Sequence, residues 1–264
     1  GTFVIEVDEA GTEWSITSSS TVLLEQIVPT ESWTEALDAV IEDNNEWYAL
    51  NDEVHTKAEQ LELTAAIQSR HKIYVTSSSD VNMISTATTD LAYLNKASGV
   101  TRTSVTYLPT ADTEFPESAW TGALLPQVVG SASWNFKRAA LVTKSNLSAT
   151  ARVNLRAKNA NMFTTVAGVN IFQDGVMADG RPMSEIIISD WIYARMQEQI
   201  YFKLINMMKI PFTRAGFAVI EGEMRSVLQQ AQANGAIDTF SVLAPDPLAI
   251  SSNDRALGKA GTFT

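Results

Sequence analysis

The chain has 264 residues, 45% hydrophobic and 19% charged, with a formal net charge of -11 and no cysteine. A chain of this size and composition buries roughly 70 to 75% of its unfolded surface, which excludes collagen-like repetition and extended disorder. The lack of cysteine excludes a disulfide framework, thiolate metal or iron–sulfur sites and a cysteine nucleophile.

Phe3, Ile5 and Val7, then Trp14 and Ile16, alternate with polar positions on either side of Glu9-Ala10-Gly11, the pattern of a hairpin, and the hydroxyl run Thr17 to Thr21 reads as a loop. Ser32 and Glu35 form a capping box ahead of an apolar stripe, Trp33, Ala36, Leu37, Val40 and Ile41, predicting a helix that stops at Asn44-Asn45. Trp47 to Leu50 is a short strand. Thr56 with Glu59 opens a second helix ending near Arg70, and Ile73 to Val75 is the next strand. Asp80 caps a predicted helix bearing Met83, Ile84, Ala87, Leu91 and Leu94, which Gly99 closes. Val105 to Leu108 follows as a strand, and Pro116 opens a helix through Trp120 and Leu124 that ends by Gly130. Strands alternating with helices of this length predict an α/β fold: a mainly parallel sheet with flanking helices.

Past about residue 135 the pattern changes to α+β. Ser148 caps a helix through Leu155, and Met162 to Ile171 is strand-like, with Gly168 interrupting it as a bulge or bend would. Asp179-Gly180 is a hairpin signal. Ile186, Ile187 and Ile188 read as a buried strand, after which Asp190 caps a helix from Trp191 to Met208. A second long helix carries Phe217, Ile220, Met224, Val227, Leu228 and Ala231 and ends at Asn234-Gly235; a last strand spans Phe240 to Leu243. The expected division is 1–134, an α/β domain; 135–250, a core domain with a hairpin and two long helices; and 251–264, an extended polar tail. Trp191 to Met208, interrupted by Arg195, Glu198 and Lys203, is too polar to span a membrane. The start at Gly1, with no leader pattern, reads as a piece of a longer protein.

Charge is unevenly placed: residues 1–99 hold 17 Asp and Glu against 4 Lys and Arg, the remainder 13 against 15. Lys137, Arg138, Lys144, Arg152, Arg156 and Lys158 follow one another with no acidic residue between them. Without stacking aromatics, six cations over a helix and its loops do not make a nucleic-acid site, and the acidic first part would repel a polyanion. A solvated basic face is the default for any single one of them; the alternative is an assembly interface of the six, facing either a tube or an acidic face of a neighbouring copy.

Catalytic motifs are missing: there is no GxGxxG, GxxxxGK, GxSxG or HExxH. His55, beside a helix cap, and His71, opening a strand, read as surface or loop residues, and Glu42-Asp43 and Asp52-Glu53 as solvated charge. A von Willebrand A-like adhesion module would need an Asp-x-Ser-x-Ser magnesium loop, and Thr76-Ser77-Ser78-Ser79-Asp80 has that composition in the wrong order. No enzyme activity, cofactor or metal is expected.

Asn135-Phe136-Lys137, the run Leu155 to Gly168, Gly175 to Gly180, Ser189-Asp190-Trp191-Ile192, Gln197 to Ile200 and Lys209 to Gly216, in this order, resemble the tail sheath proteins of contractile-tailed bacteriophages. The resemblance spans about 135–237. It implies a structural subunit of the virion tail, assembled in the host cytoplasm, whose copies wrap the tail tube as a helical sheath and shorten to drive the tube through the host envelope. Other sheath subunits, the tail tube protein, the baseplate and the tail terminator are the implied partners, with terminal arms completing sheets in neighbouring copies. One or both arms look absent here, so this piece is expected to be mainly monomeric. An α/β ligand-binding or adhesion module of another virion protein is the alternative.

Overall fold

The computed structural model describes residues 31–264 except Val54. The hairpin read over residues 3–16 and the loop at 17–21 lie outside the described residues. Trp33–Thr264 form one compact unit. Its sheet has five strands in sequence order, β1 (Ala49–Leu50), β2 (Ile73–Ser78), β3 (Thr103–Tyr107), β4 (Asn161–Val166) and β5 (Val169–Gln173). The first four are parallel and β5 closes the sheet antiparallel to β4. Every residue of β2 and β3 is buried, the condition of parallel strands covered on both faces.

Two helical layers supply that cover. On one face, α1 (Trp33–Asp43) and α2 (Lys57–Gln68) bury Leu37, Leu63, Ile67 and Tyr74, while α3 (Leu91–Ala97) and α6 (Ala149–Ala157) bury Leu91, Leu155, Val105, Tyr107 and Met162. On the other, α5 (Pro116–Leu124), preceded by the single turn α4 (Ala111–Glu114), and α7 (Met183–Asn206) pack on Ile73, Val75, Phe163 and Phe172. Trp120 stacks on Phe172 at 4.4 Å, and its indole nitrogen donates to the Trp134 carbonyl, satisfying the one polar atom of a buried ring. The Asn161 side chain donates to Ser104 and to the Val176 carbonyl and accepts from the Val176 amide, each at 2.8 Å, pinning the 174–178 loop to β3 and β4.

The expected α/β architecture with a mainly parallel sheet is observed. Several details differ. The helix expected after Asp80 is broken: Asp80 caps only a short 3-10 turn, Val81–Ile84, and Asp90 caps α3 by accepting from the Tyr93 amide. Gly168 is not a bulge but, with Ala167, the two-residue turn of the β4–β5 hairpin, both residues having positive φ as a type I′ turn requires. Ile186 to Ile188 are not a strand: they belong to α7, because Met183, Ile186, Ile187 and Asp190 recur at helical spacing and bury one face. Phe240 to Leu243 pairs with no strand among the described residues, although Leu243 and Thr264 exchange backbone hydrogen bonds, and the 251–264 tail contains a short helix, α9 (Ser252–Ala256). β3–β4 pairing carries the sheet across position 134/135.

Gly175 holds the loop seated by Asn161 against the 134–136 segment: its φ is 67°, and a Cβ there would come within 2.8 Å of the Asn135 amide nitrogen. Gly175→Ala therefore combines left-handed backbone strain with a backbone clash, and a loss of about 1 to 3 kcal/mol is expected, read as a melting midpoint lowered by several degrees; an unchanged midpoint would show that the contact is not required.

Candidate functional site

α7 is anchored to the sheet by one carboxylate. Asp190 accepts from both Arg102 guanidinium nitrogens, at 2.7 and 3.0 Å, and from the Tyr48 hydroxyl at 2.8 Å; His71 Nδ1 lies 3.3 Å away. Tyr48, His71 and Arg102 stand at the amino ends of β1, β2 and β3, so a single side chain in mid-helix gathers three strand ends. Burial would raise the Asp190 pKa, but hydrogen bonds from Arg102 and Tyr48 and the Arg102 charge hold it below the usual carboxylate value. Hydrogen bonding to Asp190 in turn raises Arg102, and burial, with Asp190 alongside, pushes the Tyr48 hydroxyl up. Asp190 is thus not the helix cap that sequence spacing suggested: Pro182 precedes the first turn.

Beyond the anchor α7 leaves the sheet. Ile192, Met196, Ile200, Lys203 and Met207 form a half-buried stripe as α7 packs on α8 (Arg214–Ala233), with Lys203 paired to Glu223 at 2.9 Å. Thr213 caps α8, accepting from the Gly216 amide, and Gly216 sits so close to the Pro211 carbonyl that any side chain would collide with it. On its other side α7 presents Tyr201, Phe202, Leu204, Ile205 and Met208 to solvent, with Phe202 66% and Ile205 69% exposed. A contiguous apolar strip of that kind marks an interaction surface.

The six basic residues do not form one face. Lys158 is buried, its ammonium 2.6 Å from Asp90 and donating to the Asn82 carbonyl, so it is a core ion pair unavailable to a partner. Arg156 pairs with Asp174 at 3.1 Å. Lys137 joins β5 through backbone bonds at Phe172, and Arg138 beside it is exposed. Only Lys144 and Arg152 come together, lining one polar cavity at the start of α6. Sequence spacing could not separate these fates, because Asp90 and Asp174 lie outside the basic run.

A second group was missed in sequence. At the carboxyl ends of the strands, the His55 side chain is buried, with Nδ1 3.2 Å from Asp112 and Nε2 3.4 Å from Glu117, itself 0% exposed; Ser79 donates to the other Asp112 oxygen. Burial lowers the His55 pKa, yet hydrogen bonding and charge from Glu117, then Asp52 and Asp112, outweigh it and leave it raised. Burial pushes Asp52 up against the pull of Thr76, Tyr74 and His55. His55 is therefore no surface residue; His71, by contrast, is open to solvent and stacks on Tyr193 at 4.6 Å. The cluster locks the β1 exit to α4 and α5, and among the described residues no group of His, Asp and Glu is arranged to hold a metal. A mostly apolar cavity of about 690 Å³, bounded by Leu125, Trp134, Ile187 and Trp191, lies instead beside the Asp190 anchor, at the opposite ends of the strands. Among the described residues no helix is long and apolar enough to cross a membrane.

Residues 183–241, which are α7, α8 and the extended chain after them, match the family described as E217 tail sheath protein gp31-like, C-terminal domain. That segment is similar to a tail-sheath C-terminal domain. Its fold is similar to that of a chain in the cryo-EM structure of the anti-feeding prophage (AFP) baseplate, 6-fold symmetrised, with a TM-score of 0.63 at 12% identity over 86% of this chain. The match covers 66% of that longer chain, just under two thirds of its length. No curated protein matches in sequence. The tail-sheath match includes the Ser189–Ile192, Gln197–Ile200 and Lys209–Gly216 motifs and leaves those before residue 183 outside it.

Two outcomes follow from the buried charges. Asp190→Ala strands Arg102 and Tyr48, and a loss of about 3 kcal/mol in chemical denaturation is expected; a change below about 1 kcal/mol would remove the anchor's role. His55 and Asp52 bind protons more tightly folded than unfolded, so their stabilisation is complete below their ordinary values, about 6.5 and 3.9, and is lost as pH rises through the raised ones. Asp190 runs the other way, its contribution lost only as pH falls through its depressed value. The melting midpoint should consequently fall as pH rises above about 6.5, and His55→Gln should flatten that slope; a wild-type profile already flat there would contradict the cluster's assignment.

Proposed function

We propose that this chain is a structural subunit of a contractile phage tail sheath, assembling with its own copies around a tail tube and shortening to drive the tube through the host envelope. The family match over 183–241 supports a structural role in contractile-tail-type machinery. The observation that carries the finer reading is the outer half of α7. It lies inside the matched segment, is fastened at its base by Asp190 and braced by α8, and still exposes Tyr201, Phe202, Ile205 and Met208. A monomeric protein gains nothing by holding such a strip rigidly in water, whereas an assembly subunit uses it as a preformed contact. Other copies, a tube protein, a baseplate and a tail terminator are the partners this reading assigns, within the virion tail.

A ligand-binding module would draw on the 690 Å³ cavity, but that cavity sits at the amino ends of the parallel strands, away from the carboxyl-end crevice where such sheets bind ligands. A hydrolase would need the His55 cluster open to substrate, and the His55 and Glu117 side chains are closed in.

Expression of the protein alone, viewed by electron microscopy, should give tubular polymers. The double change Phe202→Glu and Ile205→Glu should abolish them without unfolding the subunit, since both side chains already face water. Dispersed wild-type monomers in the presence of tube protein, or unaltered tubes from the double variant, would refute the assignment.

A further inference from the structure

A polar cavity of about 390 Å³ opens at the start of α6, walled by the 144–148 loop and by Thr164 and Thr165 of β4. Everything around it suits an anion. Lys144 is exposed and has no ion-pair partner among the described residues, and Arg152 reaches only the Thr164 hydroxyl, at 3.2 Å, with no carboxylate opposite. The amino end of α6, capped by Ser148 and bearing no acidic residue in its first turn, adds the positive end of a helix dipole. Ser145 lines the cavity, is 2% exposed, and its hydroxyl makes no hydrogen bond within the chain. No acidic residue lines the cavity.

The chain carries the complementary feature at its other edge. Glu42 and Asp43 end α1, where the helix dipole disfavours anions, and no basic residue stands in that last turn to offset them. With Glu46 they are exposed and unpaired among the described residues. α1 packs with α2 over Leu50 and Tyr74 on the β1–β2 side of the sheet, while the cavity abuts β4 near the β5 edge. An acidic knob and a basic socket on opposite edges cannot meet within one chain. They can meet between copies, and a head-to-tail contact of this kind propagates as a ring or a helix instead of closing as a dimer.

We propose that the cavity at the start of α6 is a carboxylate receptor for Glu42, Asp43 and Glu46 of a second copy of this chain, with Lys144, Arg152, the Ser145 hydroxyl and the first α6 amides as its donors. This rests on the self-assembly reading above and assigns the contact that gives it direction. The expected consequence is a contact that is specific and salt-sensitive, with charge setting orientation more than total affinity.

The test is a charge swap in the protein, scored by electron microscopy and sedimentation. Lys144→Glu with Arg152→Glu should prevent polymers, Glu42→Lys with Asp43→Lys should do the same, and all four together should restore them, with circular dichroism showing each variant folded. Polymers unaffected by either pair, or no restoration in the quadruple variant, would overturn the proposal while leaving the assembly reading in place. If the wild-type protein forms no polymer at all, the assembly reading fails and the receptor is read directly, by nuclear magnetic resonance of this chain titrated with a peptide of residues 38–47. Salt-sensitive shifts at the Ser145 and Ala149 amides, weakened at least about ten-fold by Lys144→Gln with Arg152→Gln, would support it. Silence at those amides, or a response to inorganic phosphate but not to the peptide, would overturn it.

Discussion

The architecture turns on a buried carboxylate in the middle of a helix. Asp190 is enclosed between α7 and the amino ends of three parallel strands, where an unpaired charge would be prohibitive, so the chain must bring Arg102, Tyr48 and His71 to it. That requirement fixes the rotation of α7 about its axis as well as its position. With Asp190, Ile186, Ile187 and Met183 turned to the sheet, the outer turns have no core left to cover, and Tyr201, Phe202 and Ile205 emerge into solvent by the same helical period. α8 then braces the free half through the Lys203–Glu223 pair and the close approach of Gly216 to Pro211, so the exposed strip stands on a stiff support.

The two ends of the parallel sheet are treated differently. At the amino ends the charge balance is made by a guanidinium and a carboxylate, a pair that stays ionised across the ordinary pH range. At the carboxyl ends it is made by His55 among Glu117, Asp112 and Asp52, and depends on a proton. Both clusters join helices to strand ends: the Asp190 anchor borders the apolar cavity with His71 open to solvent, whereas His55 and Glu117 are closed in and tie β1 to α4 and α5.

The sheet and most helices were legible because local signals and tertiary demand agree there: the capping residue Ser148 and the all-buried strands β2 and β3 each stand where periodicity or capping chemistry suggested a strand or a helix start. The misreadings came where one residue type serves two environments. A run of three isoleucines fits a buried strand and a buried helical face equally, and only the i, i+3, i+4, i+7 set completed by Asp190 separates them. The order of motifs carried the tail-sheath resemblance, and the match over 183–241 supports its later half. The basic run was visible as composition but not as geometry: Lys158 and Arg156 are neutralised by Asp90 and Asp174, 68 and 18 residues away in sequence, and no local pattern reports such pairings. His55 was misjudged for the same reason, its partners lying on α4 and α5.

What remains on the outside is divided in a way that suits an array changing its spacing. The apolar strip of α7 gives contact energy with little angular preference, because hydrophobic burial is non-directional and tolerates sliding. Carboxylates facing a socket of oriented donors behave oppositely: weak in water, steeply dependent on distance and geometry, and specific in sign. A subunit held to its neighbours by the first kind of contact and registered by the second could shift between packings without dissociating, provided its own core did not yield. The internal clusters, with their charges paired inside the chain, make that core independent of either surface.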